Sequence, residues 1–155
     1  MTSRDDLYTE LKPDIDLITS PLFEASETFL RKYDNFLPHA AILTGEGTVE
    51  LVGAVPDTQN DLTTSTVVLP QLHAGLRNLA GERPLKAIGI AENVTVTLEG
   101  KKPTKAIKVL FEHKRGLTVA LYLPYQKKLL HGYDFGTPIA IPAEPETNAW
   151  GIDVI

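Results

Sequence analysis

Apolar and polar positions recur along the chain with two periods, and each change of period marks an element. Leu22, Ala25, Phe29 and Tyr33 fall at helical spacing behind Ser20-Pro21. A capping residue followed by proline is a helix-start signal, so a helix is predicted over about 21–34. Ahead of it, Leu7, Leu11, Ile15 and Ile18 also keep near-helical spacing, but Pro13 interrupts them. Residues 1–19 therefore read as a flexible or partly helical segment. FLPHAAILTGEGTVELVGAV reads as a hairpin turning within Thr44-Gly45-Glu46-Gly47-Thr48. A two-residue loop there sets the Ala40 and Ile42 face against Val49 and Leu51. Residues 55–61 read as a loop. Leu69, Leu72, Leu76 and Leu79 predict a second helix over about 66–80, stopped at Gly81, with Pro70 blurring its start.

Strand-like segments follow at about 86–98, 105–113, 117–124 and 130–137. Pro138, Pro142 and Pro145 make 138–155 an irregular proline-rich tail, which Trp150 pins to the body. The order is α-β-β-α-β-β-β-β. It implies one α+β domain over 1–155: a two-layer arrangement with a mainly antiparallel sheet and both helices on one face.

The stretch LFEHKRGLTVALYLPY, residues 110–125, permits a sharper test. Ile107, Val109 and Phe111 share one side of their strand; Leu117, Val119, Leu121 and Leu123 share one side of the next. A two-residue loop would put these rows on opposite faces. A three-residue loop, Lys114-Arg115-Gly116, pairs His113 with Leu117, Phe111 with Val119 and Val109 with Leu121, and places Gly116 where positive φ is needed. Glu112 and His113 then point to opposite faces and cannot form an acid–imidazole pair. Glu112 is expected in an exposed polar cluster with Lys108 and Tyr122.

Charge is unevenly distributed. The chain carries a net charge of -5, yet residues 101–131 hold eight Lys and Arg against one acid, Glu112. Lys101, Lys102, Lys105, Lys108, Lys114 and Arg115, with Tyr122, form a candidate interaction surface for an acidic partner, unless the lysines serve only to keep strand ends soluble. Aromatic residues among these lysines would suit stacked bases, but Phe111 is assigned to the core and the chain is acidic overall, so nucleic acid is not the expected partner.

Candidate chemistry is sparse. There is no cysteine, which excludes disulfides and thiolate chemistry. Phosphate-loop, dinucleotide and nucleophile-elbow motifs are absent from the sequence. His39, His73, His113 and His131 are scattered without metal-ligand spacing, so neither a metal nor a cofactor is expected. One residue breaks a pattern. In KAIGIAENVTVTL the apolar row Ile88, Ile90, Val94, Val96 is interrupted by Glu92. A regular strand would aim that carboxyl at the core and raise its pKa. The preferred reading is a bulge or break near Ala91-Glu92-Asn93 that turns it out.

The blocks LKAIGIAENVTV, FEHKRGLTVALYLPY and FGTPIAIPAEP, preceded by FLPHAAILTGEG, resemble a family of small uncharacterised bacterial proteins over about residues 36–147. That resemblance implies no activity, cofactor or catalytic residue. With no apolar run long enough to cross a bilayer and no basic-then-apolar leader, a cytoplasmic protein without a membrane partner is expected. The expected function is a non-catalytic protein-interaction or regulatory domain, of which immunity-like proteins are one form, with a homodimer left open. The competing expectation is a small-molecule binder or enzyme with a pocket between the sheet and the N-terminal helix, using Glu92 or His39.

Overall fold

An apolar stripe, Leu11, Ile15, Ile18 and Leu22, runs straight across both prolines of the N-terminal region, and the chain there is one helix, α1 (Arg4–Tyr33). The computed structural model describes residues 3–53, 65–98, 100–130 and 132–151; the predicted loop at 55–61 and His131 lie outside them. Pro13 and Pro21 each delete a helical N–H, at a cost of about 3 kcal/mol apiece. Four buried side chains at about 1.5–3 kcal/mol each outweigh that. The expected break before residue 20 is therefore replaced by 30 continuous helical residues. The start is capped by Ser3, whose Oγ accepts from Asp6 N at 3.1 Å, and the end by Asp34 in the left-handed region at φ 59.

Among the described residues, seven strands form one antiparallel sheet with the order β2-β1-β3-β4-β5-β6, and β7 also pairs with β5. They are β1 (His39–Thr44), β2 (Val49–Val52), β3 (Leu85–Val96), β4 (Thr104–His113), β5 (Thr118–Lys127), β6 (Tyr133–Phe135) and β7 (Ile139–Pro142). With α1 and α2 (Ser65–Glu82), the protein is an α+β fold. The β4–β5 register matches the predicted one, with Phe111 opposite Val119 and Val109 opposite Leu121. Gly116 closes the three-residue turn at φ 93. The first hairpin differs. Its loop also has three residues, closed by Thr44 N to Thr48 O at 2.9 Å, so Val49 faces Leu43 and Leu51 faces Ala41. The tail differs as well: Ile139–Pro142 is a strand, at an edge where proline's missing N–H breaks no ladder bond.

The two helices occupy opposite faces rather than one. Leu11, Ile15, Ile18 and Leu22 of α1 pack with Ala41, Leu43, Ala87, Ala91, Val109 and Phe111. Leu72 and Leu76 of α2 pack with Ala40, Ile42, Ile88 and Ile90. Strands β1 and β3 are apolar at both parities, as double-sided burial requires. At the crossing with α1, Gly89 has no room for a side chain: a Cβ there would lie 2.5 Å from Ile18 Cγ2. The segment after β7 returns over the α2 face, where Ala149 and Trp150 join that second core.

Candidate functional site

Glu112 is where the tail is held. Only 3% exposed, it accepts backbone N–H groups from Asn148 at 2.9 Å, Thr147 at 3.0 Å and Glu146 at 3.3 Å. The expected exposed cluster with Lys108 and Tyr122 is thus corrected: the tail covers Glu112, and its side chain accepts from backbone donors more than thirty residues away in the chain. From α2, His73 Nδ1 lies 2.7 Å from Thr147 Oγ1, and Arg77 donates to Thr147 O at 3.2 Å.

His113 does have a carboxylate partner, supplied by α1. Its Nε2 lies 2.9 Å from Asp14 Oδ2, while Nδ1 accepts the Arg115 backbone N–H at 3.0 Å. An acceptor at Nδ1 fixes the neutral tautomer with hydrogen on Nε2. Burial, outweighing Asp14, pushes the His113 pKa down, which agrees with that tautomer. Both nitrogens are engaged and the ring is buried, so the pair docks α1 onto the β4–β5 turn. Arg115 reinforces the dock through a two-pronged contact with Glu10 at 2.6 and 3.4 Å. Those groups are about half exposed, so the ion pair itself contributes little.

His39 is fully buried in β1, with Phe29 and Phe36 edge-on at 5.5 and 5.4 Å. Nδ1 donates to Leu37 O at 2.9 Å, leaving Nε2 to face Ser26 Oγ at 3.2 Å. The Ser26 hydroxyl also reaches Leu22 O at 2.8 Å. Burial lowers the His39 pKa, so the ring is a neutral core group.

Glu92 lies on the other face. Strand β3 keeps its pairing with β4 unbroken from Ala87 to Val96, so the expected bulge is absent and the carboxyl follows Ile88 and Ile90 toward the α2 side. Its side chain is 17% exposed, 3.9 Å from Lys108, which also reaches Glu146 at 3.4 Å. Burial raises the Glu92 pKa, opposed by Lys108. Glu92 and His39 therefore share no pocket, and Glu92 does not face α1.

The basic candidates separate into three places. Lys108 sits between Glu92 and Glu146, with Tyr122 directly opposite it on β5. Lys114 and Arg115 lie at one end of β4; Lys101, Lys102 and Lys105 lie at the other, a strand length of about 30 Å away. At that far end Lys105 pairs across to Tyr125, close to Lys127 and Lys128. These two belong to the basic segment 101–131 but not to the surface expected from it, and Leu129 and Leu130 follow directly after them. Around this end, Tyr133 stacks on Phe135 with centroids 6.2 Å apart, and Arg31 lies 5.1 Å over the Phe135 ring.

An apolar groove of about 240 Å³ opens between the start of α1 and the β5–β7 edge, lined by Arg4, Tyr8, Leu117, Val119, Ala140, Ile141 and Pro142 among others. Among the described residues strand β7 is paired on one side only, and its Ile139 and Ile141 are 36% and 40% exposed. Among the described residues no group of three or more His, Cys, Asp or Glu is arranged to hold a metal ion. Among them, too, no helix is long and apolar enough to cross a membrane. No protein-family model matches the chain, and neither the curated proteins nor the solved structures compared with it include a significant match.

Proposed function

We propose that this chain is a non-catalytic protein-interaction or regulatory module of the cytoplasm, comparable in kind to small immunity-like proteins and to the bacterial family its sequence blocks resemble. The observation that carries this reading is the open edge at β7. A short strand paired on one side presents Ile139 and Ile141 beside an apolar groove, the arrangement by which an extended segment of a partner adds to a sheet. Pro138 and Pro142 bracket that edge and limit indiscriminate pairing along it. The chemistry-bearing side chains support the same reading: His39, His113 and Glu112 direct their hydrogen bonds into the fold.

The test is a pull-down with purified protein, comparing wild type with an Ile139→Lys/Ile141→Lys variant. A saturable protein partner retained by wild type and weakened about tenfold or more by the variant, with unchanged circular dichroism, is expected. Equal retention by both proteins would remove β7 from the reading.

A further inference from the structure

We infer that the β5–β6 hairpin tip is an anchor for the surface of an anionic lipid bilayer. This surface is separate from β7 and goes beyond the protein-partner reading. Leu129 and Leu130 are 104% and 92% exposed, whereas the next most exposed large apolar residue described, Val67, is at 49%. Isolated exposed leucines are ordinary, but two adjacent ones at a hairpin apex are not explained by packing. The tip is held as a turn by Lys128 N to Gly132 O at 3.0 Å, with Gly132 at φ 91, so the leucines project from a fixed stem.

Charge complementarity selects the occupant. Lys127 and Lys128 flank the leucines, and Lys105 lies on the neighbouring strand at the same end. Lys101 and Lys102 sit in the turn just before β4. Lys127 and Lys128 contact Asp34 and Asp134 at 3.0 and 3.3 Å, but all four groups are more than half exposed. Such pairs are weak and exchange readily for lipid phosphates. Among the described residues Lys101, Lys102 and Lys105 make no ion pair. Arg31 and Lys32 in the last turn of α1 add to the same end.

An apolar apex within a ring of lysines matches an interface that is apolar inside and anionic at its surface. Nucleic acid would use the lysines but gain nothing from two leucines in water. A folded acidic partner would need a preformed pocket for a convex tip; a bilayer deforms to admit one. Two leucines bury little apolar surface, so this binding is weak and reversible.

Co-sedimentation of the full chain with vesicles tests this. Vesicles of phosphatidylcholine mixed with phosphatidylserine should retain the protein at low salt, more weakly at high salt, and phosphatidylcholine alone should not. Leu129→Ser/Leu130→Ser should lower retention about tenfold without moving the thermal midpoint, because both side chains are exposed. Lys127→Gln/Lys128→Gln should lower it about fivefold per lysine. Retention independent of phosphatidylserine, or equal retention of the leucine variant, would overturn the proposal. So would a wild-type dimer in vesicle-free solution that the leucine substitutions dissociate, since that result assigns the tip to a second copy.

Discussion

Replacing Glu112 by glutamine substitutes an NH2 donor for one carboxylate oxygen that faces backbone N–H donors, so donor meets donor. The expected cost is about 1.5–3 kcal/mol, the range for hydrogen bonds to a charged group. The loss should concentrate in the tail, because the backbone N–H groups of Glu146, Thr147 and Asn148 all donate to that one side chain. Trp150 is the only tryptophan and packs with the second core, so its fluorescence reports on the tail. In Glu112→Gln the emission should shift to the red and become accessible to acrylamide at denaturant concentrations where circular dichroism is still native. Unchanged emission would show that α2 and Trp150 hold the tail without Glu112. At this scale the sequence was half legible. The separation of Glu112 from His113 follows from strand alternation alone, and the structure keeps it. What each side chain meets on its own face does not follow, because Asp14 lies 99 residues from His113 and Thr147 lies 35 from Glu112.

Elements were legible where one periodicity governed them. The β4–β5 hairpin was recoverable because a one-residue slip exposes a whole apolar row. Helix α1 was misread because proline is a local signal and the apolar stripe that overrides it is longer than the window around either proline. The opposite placement of α2 has a related cause: the row of Ile88 and Ile90 is the visible one, whereas Ala87, Gly89 and Ala91 form a second buried row on the other face. The Ala and Gly positions are as informative as the isoleucines, since small residues let α1 approach the sheet. Gly89→Ala tests this contact. The added methyl would sit 2.5 Å from Ile18 Cγ2 and 3.0 Å from Leu22 Cδ1, pushing α1 outward at a cost of about 1–3 kcal/mol. Urea unfolding measures it, and Ile18→Ala, which removes Cγ2, should cost less in the Gly89→Ala background than in wild type. Gly89→Ala as stable as wild type would mean that α1 does not rest on β3 at this point.

For the whole molecule, two buried imidazoles set an acid limit on stability. His39 and His113 both have folded pKa values below the ordinary histidine value, from burial in each case. The unfolded chain therefore binds more protons than the folded one, and stability is lost as pH falls through about 6.5. Glu92 works the other way: its raised pKa makes the folded state the better proton acceptor, so its contribution grows as pH falls. In a Glu92→Gln background the urea midpoint should therefore drop between about pH 7.5 and about pH 5.5. A midpoint that is flat or rises over that window would refute neutral burial of the two histidines.

Helix α1 has a consequence at this scale that its capping alone does not convey. It begins with Asp5 and Asp6 and ends with Arg31 and Lys32, so its side chains complement its own backbone dipole over a length of about 45 Å. Lys105, Lys127 and Lys128 lie at the same end of the sheet as its basic terminus and reinforce the positive pole there. Screening confines the field near either pole to charges within about 8 Å, so an approaching surface responds to the nearer pole rather than to the net charge of -5. A negatively charged plane would thus exert a torque before contact and turn this acidic protein with its positive pole forward.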